Sequence, residues 1–297
     1  MENTAGCGRV PFPLVSRVQQ STLKGLTADI GSILKPSQME ALLPGKMLRT
    51  RLAARLLEAG VPAKEGTVTS CCAAVEMVHT GSLCHDDVID AGLIRRAAPT
   101  LWRKTSCSAA VLIGDILICR AIALVLSVEE RRYVECFLAK IQQTVAAETE
   151  HELFLRNRPM EEEAYLRVAR GKTGAMFSFV GRVCGGTDPA LSAALEESGY
   201  QIGTAYQLAD DLLDVIGTEK DVGKTLGSDA RRGKFTLSER DGAGFPITCN
   251  HIAELCKTTL DRLRAWPAVQ KAVAAFLSDD LQPLTENQGL PLNVGVV

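Results

Sequence analysis

The chain has 297 residues, 46% of them hydrophobic and 23% charged, which is enough apolar side chain for a sizeable core and argues against a disordered polymer. Its 33 basic and 35 acidic residues leave a formal charge of −2, which argues against a broad basic surface for nucleic acid. Aromatic residues make up only 5%, which disfavours base-stacking platforms and large β-sandwiches.

Ten cysteines are scattered without a CxxC, the pattern of reduced thiols, most of them in a core, in a cytoplasmic protein. The opening MENTAGCGRVPFP has neither the basic nor the apolar region of a secretory signal. Residues 1–13 are expected to be a flexible end. Apolar spacings of three and four predict helices over 15–34, 50–60, 66–91, 107–127, 129–156, 161–184, 189–216 and 250–280. Pro44-Gly45, Gly60-Val61-Pro62, Pro99, Pro159, Gly185-Gly186 and Gly223 punctuate them. Residues 108–128 are apolar enough to suggest a membrane span, but Asp115 and Arg120 lie inside the run. Two charges in lipid are costly, so a buried core helix and no transmembrane span is the expectation. Asp188 before Pro189 reads as an N-cap followed by proline in the first turn. No alternating strand pattern and no tandem repeat is evident. Residues 284–297 lack periodicity and read as a second flexible end.

Two segments carry the chemistry. His79-Thr-Gly-Ser-Leu-Cys-His-Asp86-Asp87-Val-Ile-Asp90 and Gln207-Leu-Ala-Asp210-Asp211-Leu-Leu-Asp214 each contain DDxxD within helix-periodic, apolar sequence. On a helix, Asp86 shares a face with Asp90, and Asp210 with Asp214. Like charges at that spacing repel, so a bare helix gains nothing from them. One such motif is more simply a solvated acidic face; two in matching apolar flanks point to cations. Carboxylate oxygens with no helping histidine or cysteine suit Mg²⁺, with Mn²⁺ as an alternative, sharing its shell with substrate phosphates. Four histidines and no HExxH argue against a zinc enzyme. Basic residues sit around the motifs: Lys46 and Arg49 in PGKMLRT, Arg95-Arg96, Lys172 in RGKTG, and Lys224 and Lys234 in DVGKTLGSDARRGKFTL. Each alone is an ordinary surface cation, and RGKTG lacks P-loop spacing. Together with two acidic faces they describe a diphosphate site.

In order, HDDVIDxxxxRR, GDxL at Gly114–Leu117, GKT, YQLxDDLLD and GKxxGxDxxxGKxT run from about Leu43 to Leu237. With these motifs the chain resembles the all-trans polyprenyl diphosphate synthases of geranylgeranyl or longer-chain type. The resemblance implies an all-α isoprenoid synthase fold: one domain over 1–297, a bundle of long antiparallel helices around a deep central cavity, paired as a homodimer. It implies a prenyltransferase that joins isopentenyl diphosphate to an allylic diphosphate. By position, Asp86, Asp90, Asp210 and Asp214 match the metal ligands, with Asp87 and Asp211 in the same motifs. Arg95, Lys172, Lys224 and Lys234 match the allylic diphosphate contacts. Lys46, Arg49, His79 and Arg96 match the isopentenyl diphosphate site, and Thr173 and Gln207 the residues beside the reacting carbons.

Val78, Gly81 and Ser82, one or more turns before Asp86, match the floor of the product tunnel. All are small, which implies products of twenty carbons or more. Deeper floor candidates are Cys71, Val75, Ile141 and Val145. The chain departs from the family pattern where GGKxxRP becomes PGKMLRT, RRG becomes RRA, and ERDGAGFPITCN stands in place of a helix. Two other readings compete. A non-catalytic partner subunit generally has eroded acidic motifs, and here both are whole. A terpene cyclase carries an Asn/Ser/Glu second motif rather than DDLLD.

Overall fold

A computed structural model describes residues 12–155, 161–216 and 249–283. Within them the chain is helical apart from one small hairpin. The longer helices are α1 (Pro13–Ile30), α3 (Leu48–Glu58), α4 (Glu65–Ile89), α6 (Cys107–Leu126), α7 (Arg132–Glu150), α8 (Glu162–Ala169), α9 (Ala175–Cys184), α10 (Pro189–Ile216), α11 (Cys249–Arg262) and α12 (Pro267–Phe276). The single-turn helices α2 (Pro36–Met39) and α5 (Leu101–Lys104) connect them. Each predicted helix is present, with two refinements. The stretch 250–280 breaks at Trp266, where Pro267 cannot donate a backbone bond and instead opens α12. The stretch 161–184 is interrupted by a π-helical turn, Arg170–Gly174.

Helix ends follow local chemistry. The Asp188 carboxylate accepts from the backbone N–H groups of Ala190 and Leu191, both at 3.0 Å, so the predicted cap is formed. The Ser106 hydroxyl caps α6 by accepting from Ala109 N–H at 3.1 Å. Helix α1 already begins at Pro13, inside the segment expected to be a loose end.

The core threads through all the long helices. Leu26, Leu52, Leu56, Met77, Leu117, Phe137, Phe177, Phe179, Leu195 and Phe276 are fully buried, with the rings of Phe137 and Phe179 tilted at 45° to each other, 4.9 Å between centres. Helix α9 is buried almost throughout and sits centrally, against α3, α4, α7 and α10. Helix α4 lies along α6. At their crossing, a Cβ on Gly81 would stand 2.8 Å from the Gly114 carbonyl oxygen, so two glycines allow the close approach. At the crossing of α10 with the π-turn, a Cβ on Gly203 would stand 2.6 Å from Gly174 Cα.

Helix α6 corrects the expectation of a buried core helix. It has a mean hydropathy of 2.4 over its best 18-residue window, yet only 33% of that window is buried. Its inner face (Ala110, Ile113, Leu117, Ala121, Val125) packs on α4, while Val111, Leu112, Cys119 and Leu126 face out. Its two charges are both paired with neighbouring helices, Arg120 with Asp29 of α1 and Asp115 with His85 of α4. By length and composition alone it is the one helix among the described residues that could cross a membrane.

The hairpin joins β1 (Ile94–Arg95) to β2 (Ala98–Pro99), with Ile94 opposite Pro99 and Arg95 opposite Ala98. No strand pattern in the sequence announced it. Its two turn residues, Arg96 and Ala97, have φ of +52° and +58°, as a two-residue hairpin turn of type I′ requires.

Candidate active site

The two acidic motifs sit near the C-terminal ends of α4 and α10, and in each the first aspartate is partly exposed and the second buried. Asp86, Asp90 and Asp210 are partly exposed, whereas Asp87 and Asp211 are buried. Asp214 lies on α10, and its side chain falls outside the described part. Asp87 is held by Arg95: Nε donates to Oδ1 at 3.0 Å and to Oδ2 at 3.1 Å, and Nη2 donates to Oδ1 at 2.8 Å. The hairpin is what turns Arg95 back onto the helix eight residues behind it.

Asp211 has different partners. The Tyr165 hydroxyl on α8 donates to Oδ2 at 2.5 Å, and the Gln207 amide donates to Oδ1 at 2.9 Å. Gln207 in turn accepts from the Thr173 hydroxyl through Oε1. Thr173 belongs to the π-turn, a distortion often found at functional sites. The close Gly174–Gly203 contact brings that turn against α10, one helical turn before Gln207. Burial and the Asp211 carboxylate together raise the Tyr165 phenol well above its ordinary pKa. Beside Thr173, Lys172 Nζ lies 2.5 Å from Glu148 Oε2 on α7.

The basic residues expected at a second diphosphate also converge. Arg96 Nη1 donates to the Leu43 carbonyl at 2.6 Å, which ties the hairpin to the PGKMLRT loop. Arg49 lies over the Phe177 ring, 5.0 Å from its centre, with its Nε buried and without a hydrogen bond. Burial lowers its pKa, and the nearby Glu76 opposes that shift. Glu76 is itself 3% exposed and accepts from the Thr50 hydroxyl at 2.8 Å. Burial pushes the Glu76 carboxyl up, and Arg49 resists. His79 is held well below its ordinary pKa by loss of solvation first, then by Arg49, Arg95 and Arg96, so its ring is neutral. Lys46 is exposed, and its carbonyl accepts from Arg51 at 3.2 Å. Arg95, Arg96, Asp87, Thr80 and Lys104 help line a cleft of about 140 Å³. Lys224 and Lys234 lie outside the described residues.

Among the described residues no three metal-ligating side chains cluster together. The donor set nevertheless fits a hard divalent cation, since each motif offers carboxylate oxygens and no nitrogen or sulfur.

The tunnel residues need a correction. Gly81 faces α6, and a Cβ there meets Gly114, Leu117 and Ile118 rather than open space. Val78 is a buried core residue. Ser82 is half-buried, with its hydroxyl on the His79 carbonyl at 3.0 Å. Val145 is 56% exposed on the outer side of α7, so it is no tunnel floor.

Several residues around the site carry no motif of their own. Glu76 was detectable as a lone acid in an apolar run, three residues before His79. His85 Nε2 lies 3.0 Å from the Val111 carbonyl oxygen, over Gly114, and 3.3 Å from Asp115 Oδ1. Tyr165 carries no charge signature that could have marked it.

The family model for polyprenyl synthetase matches residues 32–239, which contain both acidic motifs and every basic residue expected at the two diphosphates. The chain belongs to that family. Octaprenyl diphosphate synthase of Haemophilus influenzae is 35% identical over 231 residues, 76% of this chain and 69% of that protein. Geranylgeranyl diphosphate synthase of Mycobacterium tuberculosis is 31% identical over 220 residues, 70% of this chain and 63% of that protein. A geranyltransferase from Helicobacter pylori, solved with magnesium and isoprenyl diphosphate, superposes with a TM-score of 0.69 at 21% identity. That match covers 92% of this chain and 98% of the other. This polyprenyl synthetase is therefore a prenyltransferase of isoprenoid biosynthesis with the isoprenoid synthase fold.

Proposed function

We propose that the protein is a cytoplasmic, homodimeric, Mg²⁺-dependent synthase that lengthens an allylic diphosphate with isopentenyl diphosphate to twenty carbons or more. The single observation that carries the site is the matched division of the two motifs. In each, the second aspartate is buried, while Asp86, Asp90 and Asp210 keep part of their surface exposed, which supports Asp86 with Asp90, and Asp210 with Asp214, as the metal ligands. Bound there, Mg²⁺ supplies the positive charge that makes diphosphate a competent leaving group.

The chain's own residues do the rest. Lys172, Lys224 and Lys234 attract the allylic diphosphate, and Arg95 joins them from its pair with Asp87. Lys46, Arg49, His79 and Arg96 hold isopentenyl diphosphate, with neutral His79 acting as a hydrogen-bonding group. The allylic C1–O bond breaks and its electron pair leaves with the diphosphate. The alkene π pair of isopentenyl diphosphate then forms the new bond to C1. The resulting cation loses a proton to the departed diphosphate, which restores an alkene and an allylic diphosphate one unit longer. Gln207 and Thr173 present oxygen lone pairs to the positive carbons, where fixed dipoles act strongly in a dry site. No dedicated histidine base is required.

The outer face of α6 and α7 supports the homodimer. Leu112, Leu126, Leu138 and Val145 stand exposed on adjoining helices, with Leu153 and Phe154 beyond them. An apolar surface of this kind on paired helices suits the same face of a second copy. Products of twenty carbons or more are supported by the small residue at Ser82 and by the relatives' names, octaprenyl and geranylgeranyl diphosphate synthase.

The test is an assay with labelled isopentenyl diphosphate and a fifteen-carbon allylic primer, followed by chromatography of the dephosphorylated products. Products of twenty carbons or more, absent in excess EDTA and restored by Mg²⁺, are expected. Turnover that survives chelation would remove the metal assignment, and no extension beyond fifteen carbons would remove the length assignment.

A further inference from the structure

The chain of hydrogen bonds behind Gln207 has a direction, and one residue sets it. Thr173 donates to Gln207 Oε1, Gln207 donates through Nε2 to Asp211 Oδ1, and Tyr165 donates to Asp211 Oδ2. Both carboxylate oxygens of Asp211 accept here. Gln207 must therefore turn its NH₂ toward Asp211 and its carbonyl oxygen toward Thr173. With Gln207 offering an acceptor, Thr173 spends its only hydrogen there and keeps its oxygen lone pairs for whatever lies alongside. If the carboxylate were replaced by a donor, the whole chain could reverse and present an NH₂ group instead.

Burial makes the direction firm. Tyr165 is 2% exposed, and Asp211 and Thr173 are 6% exposed, so water has little room to substitute for a lost partner. Tyr165 occupies the second carboxylate oxygen and fixes the plane of the group. The Gly174–Gly203 contact fixes the distance between the π-turn and α10.

We infer that Asp211 and Tyr165 are positioning residues that set the polarity of Gln207 and Thr173, directing both oxygens toward the carbocation. Asp211 thereby acts through Gln207 rather than as a metal ligand, and Tyr165 acts through Asp211. The inference rests on the reading of Gln207 and Thr173 as neighbours of the reacting carbons. A hydroxyl or amide oxygen oriented in advance costs no reorganisation when positive charge develops, whereas a reversed amide repels it.

The experiment compares wild type, Tyr165→Phe, Asp211→Asn, Gln207→Leu and the double variant Tyr165→Phe/Gln207→Leu in steady-state assays with both diphosphates. Thermal melts and Mg²⁺ titrations accompany them. Tyr165→Phe should lower kcat about tenfold, and Asp211→Asn about 100-fold, with both KM values held within about twofold. The Mg²⁺ concentration for half-maximal rate should not move. Because Tyr165 acts through Gln207, the double variant should be no slower than Gln207→Leu alone.

Multiplying rather than saturating losses in the double variant would overturn the inference. So would a Tyr165→Phe variant with wild-type kcat, and so would a shifted Mg²⁺ requirement in Asp211→Asn, which would make Asp211 a metal ligand. Should Asp211→Asn fail to fold, the conservative Tyr165→Phe pair of variants still decides the matter. Wild-type protein that forms no condensation product would overturn the reading of the site and the inference with it. That result is distinct from active wild type with additive variants.

Discussion

The two DDxxD segments have the same sequence pattern and similar helical settings, yet they are anchored by different physics. On α4 the middle aspartate, Asp87, is neutralised by a guanidinium brought round on a hairpin only eight residues away. On α10 the middle aspartate, Asp211, is held by neutral donors, one from its own helix and one from α8. The common part comes from helix geometry. Residues four apart share a face, and the residue between the first and last aspartates that follows the first lies about 100° round, toward the protein. The different part comes from burial. Arg95 keeps 38% of its side chain exposed, so water screens its pair with Asp87 and the pair is worth only about 1 kcal/mol or less. The Tyr165 bond to Asp211 is almost fully buried, where a hydrogen bond to a charged group contributes about 1.5–3 kcal/mol. The first motif is thus tied down by a solvent-screened ion pair, and the second by a mostly buried hydrogen-bond network.

The sharpest way to break the comparison is to attack the outer aspartates, to which the proposed mechanism gives the same role in both motifs. Asp86→Ala and Asp210→Ala should each lower turnover on the order of 10³-fold, as loss of a fixed electrostatic contact to a developing charge does. Melting temperature without metal or substrate should stay level or rise slightly, because each change removes one of two repelling carboxylates. Initial rates and thermal melts on the same preparations check this. A large fall in melting temperature with the rate preserved would make these aspartates structural and end the metal assignment.

A second difference lies in how the motifs are positioned. Helix α4 is located by its glycine crossing with α6, and the Gln207 stretch of α10 by the Gly174–Gly203 crossing. Gly81→Phe should therefore wedge α4 from α6 and cost about 3 kcal/mol or more, since a Cβ alone already meets the Gly114 carbonyl. Ser82→Phe, one residue on and half-buried, should fold and shorten the product. Denaturant melts separate the two from each other, and product chromatography reads the second. A well-folded Gly81→Phe protein with shortened product would restore Gly81 to the tunnel and overturn the packing account.

Much of this was legible in the sequence, for identifiable reasons. Helices were readable because apolar residues recur every three or four positions. The two acidic motifs were readable because charge in an apolar run needs a cause. The tertiary assignments were not. Gly81 looked like tunnel floor by its distance from Asp86, but distance along a helix does not say which side a residue faces, and Gly114 decided that. Helix α6 reads as core by hydropathy, yet an apolar helix with only one face packed on its neighbours has the same composition. Tyr165 was invisible because its role is fixed by a partner 46 residues away. The hairpin was missed because its strands are two residues long, and RRA lacks the glycine that normally marks such a turn.

That missing glycine gives the smallest prediction, and it bears on the first motif alone. Arg96 and Ala97 form the two-residue turn that returns Arg95 to Asp87, and Ala97 sits at φ +58°, where a Cβ crowds the following carbonyl. Glycine takes that conformation without the clash but adds freedom to the unfolded chain, and the clash is the larger of the two effects. Ala97→Gly should therefore stabilise the protein by about 0.5–1 kcal/mol, or about 1–2 °C in melting temperature. Ala98→Gly, one residue on in β2 and without positive φ, should do the opposite by a similar amount. The pair of melts isolates backbone conformation from the mere loss of a methyl group. Ala91 provides an independent repeat: it follows α4 and its Asp90 cap at φ +48°, a position where glycine commonly ends a helix. If Ala97→Gly and Ala91→Gly both destabilise as Ala98→Gly does, the turn does not hold the positive φ that aims Arg95. The contrast between a hairpin-delivered cation at the first motif and buried neutral donors at the second would then fail on its first half.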